Sequence, residues 1–193
     1  MEQIRSFIAI ELPAEVRLAL EGLISSLKSG QPSRVRWVEP DSIHLTLKFL
    51  GNITADRIEA ITGAIREGAQ GTDPFRLEVK GLGAFPNLRR VQVAWAGVSG
   101  ETDRLNQLQK RIDSNLAKIG FTPEKRPFSA HLTLGRVRDR VSPDERQRLG
   151  ERLAGTPFDG GVFTVSSINL MRSQLQRTGA VYSRISTVNL TGA

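Results

Sequence analysis

Residues 43–51 read Ile43-His44-Leu45-Thr46-Leu47-Lys48-Phe49-Leu50-Gly51, and residues 130–136 read Ala130-His131-Leu132-Thr133-Leu134-Gly135-Arg136. The tetrapeptides 44–47 and 131–134 are identical, and they hold both of the chain's 2 histidines. From this composition, the chance that the second histidine shares its three following residues with the first is on the order of one in a thousand. Successive side chains of a β-strand alternate between faces, so each copy puts a histidine and a threonine on one side and leucines on the other. His44 and Thr46 are expected to share a face, about 7 Å apart along the strand. Ile43, Leu45, Leu47 and Phe49 are expected on the opposite, core-facing side. His131 and Thr133 repeat the polar pair, with Leu132 and Leu134 behind them.

Outward from these strands the same order of elements recurs. Before the first motif, Arg5–Leu12 reads as a strand ending at Pro13. Val16, Leu20, Leu23, Ile24 and Leu27 follow at helical spacing, up to the breaker Ser29-Gly30-Gln31-Pro32. Arg34–Val38 is strand-like, and Ala55–Ala69 carries Ile58, Ile61 and Ile65 on one helix face. Phe75–Leu82 and Val91–Val98 form a predicted hairpin around Phe85-Pro86-Asn87. A helix through Leu105, Leu108, Ile112, Leu116 and Ile119 stops at Gly120, and the strand Phe128–Val137 carries the second motif. Ser142-Pro143-Asp144-Glu145 opens another helix as a capping box. The strands Val162–Met171 and Ala180–Leu190 close the chain. Each half thus supplies strands and two helices. The expected fold is α+β and bilobal, a pseudo-symmetric duplication in which each lobe is an antiparallel sheet with flanking helices around a central cleft. No linker divides it, so residues 1–193 are expected to form a single domain.

Composition narrows the chemistry. With 193 residues and 39% hydrophobic content the chain can bury a full core. The absence of cysteine excludes a disulfide scaffold, a thiolate nucleophile and a Cys-based zinc site, and makes the cytoplasm the default compartment. Residues 1–13 have neither a signal-peptide layout nor a membrane-spanning length. A formal charge of +7 favours a polyanionic partner. Without a heptad pattern or a long exposed apolar stretch, a monomer is expected.

Cleaving a phosphodiester without a metal requires a base for the attacking oxygen, an acid for the leaving oxygen, and donors to the nonbridging oxygens. His44 and His131 supply the proton transfers, since imidazole titrates near neutrality. Thr46 and Thr133 supply donors, and the motif symmetry leaves open which histidine is acid and which is base. No metal site is expected, because two imidazoles without a carboxylate on the same strand face are a thin ligand set. Arg136 is a candidate phosphate contact, and Lys48 a lesser one on the predicted His44 face. Trp37 reads as packing. A non-catalytic RNA-binding module fits less well: aromatic residues make up 6% of the chain, and no RNP-like run is present.

These residues resemble the two-histidine phosphoesterases, and more narrowly the RNA 2′,3′-cyclic phosphodiesterase branch, also called 2′-5′ RNA ligase. The likeness rests on the paired motifs, on Phe49-Leu50-Gly51 after the first and on Gly135-Arg136 after the second. It extends to Arg5–Ile10, Phe85-Pro86, Trp95-Ala96-Gly97, Arg126-Pro127-Phe128 and Leu170-Met171-Arg172-Ser173. The resemblance implies that water opens an RNA 2′,3′-cyclic phosphate to a 2′-phosphomonoester, without cofactor. It implies His44 as proton donor to O3′, His131 as base, and Thr46 and Thr133 as phosphate ligands. The same chemistry in reverse implies 2′-5′ ligation. A different substrate, such as another small cyclic nucleotide or a 2′,5′-linked oligonucleotide, is the alternative within this chemistry.

Overall fold

Leu45, Leu132 and Leu134 are fully buried and Leu47 nearly so, and their burial decides which way each motif strand faces. Each such side chain contributes about 1.5–3 kcal/mol when withdrawn from water, far more than turning a threonine outward costs. The computed structural model describes residues 3–29, 34–176 and 179–192. The predicted breaker at 30–32 lies outside them.

Nine strands and four helices are described: β1 (Gln3–Glu11), α1 (Ala14–Lys28), β2 (Val35–Trp37), β3 (His44–Thr54), α2 (Ile58–Ala69), β4 (Phe75–Phe85), β5 (Val93–Gly100), α3 (Thr102–Lys118), β6 (His131–Val137), α4 (Pro143–Gly155), β7 (Asp159–Val165), β8 (Ser167–Gln176) and β9 (Gly179–Asn189). They form two antiparallel sheets, of order β3-β1-β8-β9 and β2-β6-β5-β4-β7. The α+β class, the paired antiparallel sheets and the duplicated halves are those expected from the sequence. The five apolar residues predicted for the face of α1 are the ones it buries. The capping box of α4 is formed: the Ser142 hydroxyl accepts from the Glu145 amide, and the Glu145 carboxylate accepts from the Ser142 amide.

Of the boundaries that differ, three change the architecture around the motifs. The second motif strand begins at His131, not at Phe128: its ladder with β5 starts at the His131–Gly97 pair. The single strand predicted over Val162–Met171 is two, β7 and β8, which join different sheets. The first turn of the predicted Ala55–Ala69 helix is a 3-10 turn at Ala55–Arg57.

Both sheets share one pattern: motif strand, then opening strand, then two more. In the first it runs β3, β1, β8, β9, and in the second β6, β5, β4, β7, with β2 added beyond β6. The sequence halves are therefore not the lobes. β4 follows the first motif but pairs with β5, whereas β8 follows the second motif and pairs with β1. Helices cross over in the same way: α2 packs on α3 and β9, while α1 packs on β7 and α4 on β4. Through this exchange one continuous core includes side chains from both sheets and all four helices.

Candidate active site

In both motif strands the residue directly after the threonine is left out of the ladder with the opening strand. Ala9 pairs with Thr46 and Ile8 with Lys48, so Leu47 is bulged; Trp95 pairs with Thr133 and Ala94 with Gly135, so Leu134 is bulged. A bulge adds a residue to one strand and reverses the alternation beyond it. This corrects two expectations. Phe49 is not a core residue: it is 67% exposed, and its ring lies 6.1 Å from that of Phe7. Lys48 does not share the His44 face. Its ammonium meets the Asp113 carboxylate of α3 and donates to the Thr122 carbonyl at 2.8 Å, which makes it a strut between β3 and α3. Arg136, the residue of the second strand that matches Phe49, is exposed. Trp37 packs against the core, as its expected role required.

His44 lies between two aromatic rings. Phe7 stacks on it at 4.5 Å, and Tyr182 meets it edge-on at 4.9 Å. Phe7, Ala9 and Met171 form a small apolar cluster of their own beneath this ring, separate from the main core. Opposite His44 on β1 stands Glu11. Its Oε2 accepts from the Asn169 side-chain amide at 2.6 Å and from Arg184 Nε at 2.8 Å and Nη2 at 2.6 Å. Burial pushes the His44 pKa below its ordinary value of 6.5, while a hydrogen bond with the Ser42 backbone and the Glu11 charge oppose that shift. Burial also raises the Tyr182 pKa, against the positive charges of Arg5 and Arg136.

His131 occupies the matching position in the other sheet, opposite Gly97 on β5. Its Nδ1 lies 2.7 Å from the Ser129 carbonyl oxygen, two residues earlier. Donation to that carbonyl leaves Nε2 for solvent or substrate. Phe85 meets the ring edge-on at 4.8 Å and lies 5.5 Å from Trp95, the cross-strand partner of Thr133. All four motif side chains are half-buried. The two motif strands touch each other across the sheets, and the Arg136 charge from β6 is felt at Tyr182, the ring that flanks His44.

A model of the family described as "LigT like Phosphoesterase" matches the chain twice, over residues 10–95 and 97–182. The chain belongs to the LigT-like phosphoesterase family. The two matches part at Ala96, within β5 and beside the residue that faces His131. An RNA 2′,3′-cyclic phosphodiesterase of Methanothermobacter thermautotrophicus is 33% identical over 189 residues, which is 97% of this chain and 100% of that protein. One from Aquifex aeolicus is 36% identical over 160 residues, covering 81% and 82% of the two chains. Among solved structures, Escherichia coli LigT complexed with 3′-AMP superposes with a TM-score of 0.79 at 28% identity, over 98% of this chain and 99% of that one.

Within this LigT-like chain, four residues near the histidines had no expected site role: Phe7, Glu11, Phe85 and Tyr182, although Phe7 and Phe85 lie in stretches that carry the family likeness. Period-2 alternation on β1 places Phe7, Ala9 and Glu11 on one face, which was a usable signal. What the sequence does not display is that β3 and β8 flank that strand. A cavity of about 510 Å³ lies elsewhere, lined by Thr72, Asp73, Arg104, Lys110 and Arg111 among others. No motif residue reaches it. Two of its cations are engaged, Arg104 with Glu101 and Arg111 with the Gln70 carbonyl and the Thr72 hydroxyl.

Proposed function

We propose that this chain hydrolyses RNA 2′,3′-cyclic phosphate ends to 2′-phosphomonoesters, with His44 and His131 acting on one phosphate and without a metal ion. Water attacks phosphorus as His131 accepts its proton; the P–O3′ bond breaks as His44 protonates O3′. The two histidines finish with exchanged protonation states and re-equilibrate through solvent. Thr46 and Thr133 donate to the nonbridging oxygens, where charge accumulates, and Arg136 adds a cation. A 5′-hydroxyl in place of water would yield a 2′,5′ linkage from the same residues, so hydrolysis dominates wherever water outnumbers acceptor ends.

The observation that carries this reading is the duplicated unit of histidine, threonine and bulge, one copy on each of two touching sheets. The names of the relatives support the substrate class, and the +7 charge suits a polyanion. Residues 1–193 would act as one bilobal unit, a monomer in the cytoplasm; no helix among the described residues is long and apolar enough to cross a membrane. The test is incubation of EDTA-treated protein with an oligoribonucleotide ending in a 2′,3′-cyclic phosphate, followed by identification of the new end. A 2′-phosphate is expected. A 3′-phosphate, an unchanged end, or activity that returns only with added metal would overturn the proposal.

A further inference from the structure

We propose that Glu11, held in place by Asn169 and Arg184, is a positioning residue that keeps His44 able to carry a proton despite the burial of its ring. This rests on the reading of His44 and His131 as the proton-transfer pair. The geometry is local. Glu11 is the cross-strand partner of His44, and three donors fix one of its carboxylate oxygens: Asn169 Nδ2 at 2.6 Å, Arg184 Nε at 2.8 Å and Arg184 Nη2 at 2.6 Å. Asn169 is 2% exposed, so the carboxylate is anchored from within the sheet.

The second half cannot copy the arrangement. The residue opposite His131 is Gly97, and a Cβ there would stand 2.5 Å from the Lys80 carbonyl oxygen. A carboxylate at that position would have to part β4 from β5. The cross-strand position therefore holds a carboxylate beside one imidazole and has no room for one beside the other.

An imidazolium flanked by Phe7 and Tyr182 lacks the hydration it would have in water, so burial alone favours the neutral ring. The charges around it are Glu11 on β1 and Arg184 on β9, with Arg5 of β1 and Arg136 of β6 acting on the adjacent Tyr182. Glu11 is the anion of this group. Arg184 anchors it and at the same time partly cancels its charge, so the two have opposite effects on His44.

With 2 histidines in the chain, each ring can be followed by NMR across a pH titration of the intact protein. Glu11→Gln should lower the midpoint of His44 and leave His131 in place. Arg184→Gln, which frees the carboxylate, should raise the His44 midpoint. In turnover of cyclic-phosphate-ended RNA, Glu11→Gln should match the parent in acid and fall behind by about three- to tenfold in alkali, because only a protonated His44 can donate. Glu11→Asp should recover part of that loss. An unmoved His44 midpoint in both variants would overturn the proposal, and so would a Glu11→Gln rate that gains on the parent in acid, the pattern of a base. If His44→Ala keeps full activity while the midpoints move as stated, the catalytic reading fails and the electrostatic one stands.

Discussion

The two histidine corners share a backbone plan and differ in what surrounds it. Each has a motif strand with a bulge after its threonine, an opening strand beside it and an aromatic ring set edge-on to the imidazole. Around His44 are a stacked Phe7, the Glu11 carboxylate and the exposed Phe49; at the matching places around His131 are Val93, Gly97 and Arg136. On the proposed reading, the duplicated unit supplies two similar grips on one phosphate. Divergence of the cross-strand neighbours sets a carboxylate opposite one imidazole and a glycine opposite the other.

The severest way to break the comparison is to remove one grip. His44→Ala and His131→Ala should each cost about a hundredfold or more in turnover, since neither proton transfer can be done by the other ring. Circular dichroism should show both variants folded. A large loss in one and none in the other would mean that the corners are not partners.

Next in size is Lys48→Met, which separates strut from site. Lys48 and Asp113 side chains are 9% and 14% exposed, so leaving the carboxylate without its cation should cost about 1–3 kcal/mol in urea unfolding. Turnover per folded molecule should stay within about twofold. Lost turnover at unchanged stability would return Lys48 to the site.

Thr46→Val and Thr133→Val sharpen the symmetry. Each removes one donor from the phosphate, worth about tenfold in turnover. Equal losses would show that the two bulged strands hold the phosphate alike.

The smallest effect is on stability. The folded state holds the His44 pKa below the ordinary value of 6.5, so on acidification the unfolded chain takes up its proton first. Stability from this group is full above that ordinary value and declines as pH falls from it to the folded pKa. His44→Ala should flatten this part of the curve relative to the parent, and an unchanged curve would deny that burial opposes the proton.

Much of this was legible in the sequence because strong local rules decide it. Alternation set His44, Thr46, His131 and Thr133 on polar faces, helical spacing gave the buried face of α1, and capping chemistry gave the start of α4. Phe49 and Lys48 were misplaced because a bulge is a property of two paired strands, and the pairing partner, β1, lies 35 or more residues upstream in the chain. Glu11 and Tyr182 were missed for the same reason. Their neighbours across the sheet come from the far end of the chain, through an exchange of strands between halves that no local pattern records.

Both imidazoles are proposed to grip one phosphate. The most direct measurement is a titration of the metal-free protein with a nucleoside 2′-monophosphate, the product end of the reaction, following both histidine rings by NMR. The two sets of ring signals should move together and saturate with a single Kd at one ligand per chain. A ring that keeps its free position while the other saturates would contradict it.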